Sequence, residues 1–117
     1  MSRNLVLYLD DIISSIDKIQ RYTVNMSQAD FIIDDRTFDA VIRNLEIIGE
    51  AVKQIPNDIR DRYPQIDWRK IAGLRDILAH AYFAVDDEII WDIIKNKLND
   101  LRECLVEIKM NITKESI

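Results

Sequence analysis

Only four of the 117 residues disfavour a helix through the backbone alone: Gly49, Pro56, Pro64 and Gly73. Between them the apolar residues recur every three or four positions, the spacing of a helix buried on one face. Hydrophobic residues make up 48% of the chain, enough at this length to bury a core without disulfides. Together these predict an all-α antiparallel helical bundle of about four main helices plus short turns, formed as one domain over residues 1–117.

In chain order, the first helix is predicted from about Asn4 to Thr23, with Leu5, Leu9, Ile12, Ile13, Ile16 and Ile19 inward. Ser27, with Asp30 three residues on, resembles a capping box and marks a short turn. A second helix starts near Asp34 or Asp35 and runs to about Ile55, where Pro56 stops it. On it Ile47, Ala51, Ile48, Val41, Val52 and Leu45 share the apolar side, while Arg43, Glu46 and Glu50 form a solvated ladder. Asn44 falls inside the apolar arc, and a buried amide needs partners. Two roles are open to it: a structural hydrogen bond to backbone, or a reach toward Arg75 and His80. Gly49 costs this helix about 1 kcal/mol against alanine, which points to close packing there.

A short helix is expected over Asn57 to Tyr63, closed by Pro64. Asp67 then caps a helix that runs on to about Tyr82-Phe83, with Trp68 in its first turn as a core or interface anchor. The last helix is capped by Asp86 or Asp87 and ends near Asn111; residues from Thr113 on are expected to fray. Its stripe is Ile89, Ile90, Ile93, Ile94, Leu98, Leu101, Leu105 and Ile108.

The chain has one cysteine and one histidine. Cys104 cannot form an internal disulfide, which suits a reducing cytosol, and its expected role is packing. No zinc-ligand spacing, Gly-rich phosphate loop or Ser-His-Asp candidate is present, so neither a metal nor a cofactor is expected. No run approaches ~18 apolar residues and the start does not resemble a signal peptide, so a soluble cytoplasmic protein without membrane contact is expected. The net charge of −5 opposes broad affinity for nucleic acid, so any RNA substrate requires a local positive patch.

The chemistry concentrates in Arg75-Asp76-Ile77-Leu78-Ala79-His80-Ala81-Tyr82. At about 100° per residue, Ile71, Leu74, Ile77, Leu78, Ala81 and Tyr82 form one apolar arc. The other arc carries Arg75, Asp76 and His80 among Ala72, Gly73 and Ala79, with little bulk to keep a ligand or a second backbone away. Asp76, four residues before His80, is spaced to hold one ring nitrogen and fix its tautomer. An ordinary surface charge at Arg75 and a plain intrahelical pair between Asp76 and His80 also satisfy this spacing.

Arg75, His80 and Tyr82 match the R-x4-H-x-Y signature, and the flanks "IRNLEIIGEAVKQIP", "YPQIDWRKIAGLRDILAHAYFAVD" and "IIW" extend the match. In these blocks the chain resembles the HepT-like family of HEPN-domain ribonuclease toxins over roughly residues 3–110. The resemblance implies a HEPN-like bundle, RNA cleavage by Arg75 and His80 in a dimer, and membership of a type VII-like toxin–antitoxin pair. The implied antitoxin is a minimal nucleotidyltransferase that adds AMP to Tyr82.

The residues suit that chemistry. The RNA 2′-hydroxyl is a built-in nucleophile, so the protein must take its proton, stabilise the charged phosphorane and protonate the leaving 5′-oxygen. His80 suits proton transfer and Arg75 forks onto phosphate oxygens, giving a 2′,3′-cyclic phosphate without a metal. One histidine per chain is short of an acid and a base, and a homodimer that brings two Arg75/His80 pairs to one cleft supplies both. The rival reading is a non-catalytic helical module that binds or presents substrate to a nucleotidyltransferase.

Overall fold

The computed structural model describes residues 3–78 and 87–115. Among them every regular element is helical: α1 (Arg3–Thr23), α2 (Gln28–Ile33), α3 (Asp35–Val52), α4 (Asn57–Arg60), α5 (Trp68–Ala72), α6 (residues 74–78), α7 (Asp87–Asp92), a π-helical turn (Ile93–Lys97) and α8 (Leu98–Glu115).

The frame is α1 packed along α3 and α8. Leu5, Leu9, Ile12, Ile16 and Ile19 alternate steps of four and three, and all are buried. Two ion pairs fix the direction of α8 against α1. Lys109 Nζ lies 2.6 Å from Asp10 Oδ1, and Arg102 Nε lies 2.7 Å from Asp17 Oδ1. As the α1 number rises the α8 number falls by the same amount, so the helices run antiparallel. Such half-exposed pairs contribute at most about 1 kcal/mol each and serve mainly to set register.

Local chemistry accounts for the joints. Asn25 takes a positive φ of 63°, which an asparagine tolerates, and ends α1. Ser27 and Asp30 form the expected capping box at α2. Asp34 both ends α2 and caps α3: its Oδ1 accepts from Thr37 N–H at 3.0 Å and its Oδ2 from Thr37 Oγ1–H at 2.9 Å. Those bonds to the ionised carboxylate hold the Asp34 pKa below its ordinary value. Phe31, fully buried on α2, stacks obliquely on Phe38 of α3 and Trp91 of α7, each at 5.4 Å between ring centres. A contiguous hydrophobic cluster joins all of these helices. No helix among the described residues is long and apolar enough to cross a membrane.

Several boundaries differ from expectation. Helix α3 ends at Val52, not near Ile55, because the chain tightens into turns there: Gln54 N–H donates to Ala51 O and Ile55 N–H to Val52 O. Helix α4 stops at Arg60, with single turns continuing to Tyr63. Helix α8 does not end near Asn111 but runs to Glu115, and residues 116 and 117 lie outside the described residues. Buried Ile112 anchors it, Asn111 Nδ2 donates to Tyr63 Oη at 3.3 Å, and Thr113 Oγ1 donates to Lys109 O at 2.9 Å. Ile89 and Ile47, placed on apolar stripes by spacing, are 40% and 37% exposed.

Candidate active site

The site is built where α5 and α6 lie across α3. Asp67 caps α5, accepting from Lys70 N–H at 3.1 Å. Trp68 follows as a core anchor, 8% exposed, its indole Nε1–H donating to Tyr63 O at 3.1 Å. The helix expected to continue from Trp68 into the motif is interrupted at Gly73. Gly73 N–H closes α5 onto Arg69 O and Ile71 O, and its own carbonyl starts α6 by accepting from Asp76 N–H.

Gly49 explains how closely this pair of short helices approaches α3. A Cβ there would lie 3.2 Å from Ile71 O and 3.3 Å from Leu74 Cβ. The absent side chain lets the α5–α6 junction rest on the α3 backbone, as its mid-helix position suggested. Leu74 and Leu78 are buried and Ile71 and Ile77 half-buried, which fixes the roll of α6. Arg75 and Asp76 are consequently exposed, on the side away from the core.

Asn44 is buried on α3, and its Nδ2 donates to Ala40 O at 2.9 Å. That bond is the backbone partner which a buried amide requires. His80 and Tyr82 lie outside the described residues, as does Asp86, the alternative cap of the last helix. Among the described residues no group of three or more His, Cys, Asp or Glu side chains is placed to hold a metal ion. Cys104 is buried, and desolvation, aided by nearby Glu107, pushes its thiol up to about 11, so it stays protonated and packs as a small apolar group.

Two features escaped the sequence reading. One is the π-helical turn, closed by Leu98 N–H donating to Ile93 O. Buried Ile90, Ile94 and Leu98 are spaced four and four, which on a regular helix drifts by about 80° over two turns. The wider turn absorbs the extra residue and keeps all three facing inward. The other is a 540 Å³ hollow between α5–α6 and α7–α8, with Leu74 and Ile77 in its wall.

A bundle with a closely seated short helix that presents an arginine and a carboxylate to solvent is a scaffold for work at its edge, and sequence comparison identifies which one. A family model described as ribonuclease HepT-like matches residues 12–108, and the chain belongs to that family. The "Putative RNase MJ0127" of Methanocaldococcus jannaschii is 47% identical over 97 residues, covering 82% of this chain and 80% of that protein. The "Probable ribonuclease HepT" of Thermococcus cleftensis is 45% identical over 102 residues, 87% of this chain and 93% of that one. A third relative from M. jannaschii, "Gamma-glutamylcyclotransferase and putative RNase MJ0434", is 38% identical over 97% of this chain, which spans only 51% of its length. Comparison with solved structures returned no match.

Proposed function

We propose that this chain is a metal-independent endoribonuclease, the toxin of a type VII-like toxin–antitoxin pair, working as a homodimer from one domain. The observation that carries the reading is the family match over residues 12–108, which contains the whole of Arg75-x4-His80-x-Tyr82. Arg75 is exposed on a helix whose other face is locked into the core, so it is free to meet a phosphate without cost to packing.

In the proposed reaction one His80 imidazole takes the proton of the RNA 2′-hydroxyl. The 2′-oxygen attacks the adjacent phosphorus, forming the new P–O bond as the bond to the 5′-oxygen breaks. His80 of the second copy, protonated, gives its proton to the leaving 5′-oxygen. The two Arg75 side chains hold the non-bridging oxygens as charge builds on the phosphorane. Asp76 orients His80, and Asn44, whose amide oxygen can still accept a bond, supports from α3. The products are a 2′,3′-cyclic phosphate and a 5′-hydroxyl. A nucleotidyltransferase antitoxin adds AMP to Tyr82, and the bulky anion occupies Arg75 and blocks the RNA phosphate.

Purified His80→Ala should keep its oligomeric state and lose RNA cleavage, with cyclic-phosphate ends present only in the unsubstituted digest. Unchanged cleavage removes His80 from the mechanism. Cleavage by neither protein, with nucleotidyltransferase binding intact in both, favours the non-catalytic module. After incubation with that enzyme and ATP, mass spectrometry should find AMP on Tyr82, and label on another residue refutes the assignment.

A further inference from the structure

The 540 Å³ hollow has an aliphatic interior, with Ile48, Ile71, Leu74, Ile77 and Ile93 among its lining residues. At its lip Ile89 is 40% exposed on α7. A contiguous apolar surface of this kind marks a place where something docks. The charges around it are biased. Among the described residues Asp67, Glu88, Asp92 and Asp100 line it with only Lys70 and Lys97 against them, and all six side chains are exposed.

We infer that this hollow receives an amphipathic helix of a separate protein, with aliphatic anchors on one face and lysines or arginines flanking them. The apolar wall takes the anchors, as grooves formed between helices do for residues at i, i+3, i+4 and i+7. The carboxylates select the flanks, attracting cations and repelling a phosphate backbone. A second copy of this chain is a poor occupant on the same charge argument. Among its described exposed aliphatic residues on helices, Leu7 has Asp10 and Asp11 beside it, Ile32 and Ile33 lie among Asp30, Asp34 and Asp35, and Ile47 lies beside Glu46 and Glu50, while Met110, beside Lys109, is a single anchor with no exposed aliphatic residue three or four positions away. Because Leu74 and Ile77 flank Arg75 and Asp76 on α6, the docked helix bears on the element that presents Arg75.

The test uses the full chain with isoleucine methyl groups labelled for NMR, and needs no RNA cleavage, so it stands or falls apart from the ribonuclease reading. The probe is a synthetic helical peptide with leucines at i, i+3, i+4 and i+7 and lysine flanks, compared with a twin bearing glutamates at the lysine positions. The lysine peptide should saturate and shift the methyls of Ile77, Ile89 and Ile93. Glu88→Lys with Asp92→Lys, checked for folding by circular dichroism, should weaken it at least about tenfold and reverse the preference between the twins. Equal binding of the twins overturns the inference, as does a peptide that shifts only methyls elsewhere. Groove shifts that follow protein concentration without peptide assign the hollow to a second copy instead, and shifts caused by a short RNA oligonucleotide assign it to nucleic acid.

Discussion

The seam between α1 and α8 and the edge formed by α5 and α6 are made by opposite means. Along the seam a regular four-and-three spacing of aliphatic residues continues for most of α1, and the two ion pairs hold an antiparallel register. At the edge the helix is cut at Gly73, its two short pieces are seated by the missing side chain of Gly49, and its outer face carries Arg75 and Asp76. Opposite it the chain is irregular again, at the π-helical turn. The seam uses its residues for burial; the edge leaves its polar residues unburied. Stability and chemistry should therefore separate under mutation.

The sharpest separation is expected at Arg75. Arg75→Ala should lower the rate of RNA cleavage by about 10²–10³-fold, the usual loss when one donor to a developing oxyanion is removed, and leave the melting temperature within about 1 °C because the side chain is exposed. A large loss of thermal stability in this variant would break the division between frame and edge. The converse is Ile16→Ala. Ile16 is fully buried on α1, so truncation should cost about 2–5 kcal/mol in urea unfolding, while cleavage per folded molecule stays close to that of the unsubstituted chain.

Gly49→Ala tests the joint between the two regions and should have an intermediate effect. Alanine favours α3 by about 1 kcal/mol. Its Cβ, however, meets a backbone carbonyl, Ile71 O, at 3.2 Å, and a carbonyl in a capped helix cannot rotate aside. Overpacking of this kind costs about 1–3 kcal/mol. The net should be a loss of about 1 kcal/mol in stability, with a larger fall in cleavage as α6 is pushed from its seat. A gain in stability with full activity would mean that α6 is less tightly placed than the contact distances state.

These joints also mark where the sequence was readable. The frame was legible because its signal is local: the α1 stripe, the Ser27 capping box, the Asp67 cap and buried Trp68 follow from spacing and side-chain type. The inward arc of the motif helix was readable for the same reason as far as Leu78, the last residue described there. Its break was not, because Gly73 is tolerable within a helix and the decision rests on Asp76 N–H and the seating against α3. The persistence of α8 to Glu115 depends on Tyr63, distant in sequence, accepting from Asn111. The π-helical turn did leave a trace, in the four-and-four spacing of Ile90, Ile94 and Leu98, but it can be interpreted only once all three are known to face the core. Of the candidate site, the exposure of Arg75 and Asp76 followed from the same wheel that buried Leu74 and Leu78. For Asn44, periodicity foretold burial, and the choice of Ala40 O as its partner is a matter of rotamer.

The smallest effects belong to the exposed charges of the frame, and here pH sharpens the comparison. Arg102→Ala should cost at most about 1 kcal/mol, less at high salt, since its pair with Asp17 is half-exposed. Asp34 behaves differently because it acts as a cap. Its folded-state pKa is depressed below 3.8 by the bonds from Thr37. A depressed carboxylate binds its proton less readily when folded, so its contribution is complete above the unfolded pKa and is lost as pH falls through the folded one. Melting temperature should therefore decline below about pH 4 in the unsubstituted chain, and less steeply there in Asp34→Asn, whose amide oxygen caps at every pH. An unchanged acid slope in that variant would show that the α2–α3 corner is held by the Phe31–Phe38–Trp91 cluster without help from the ionised cap.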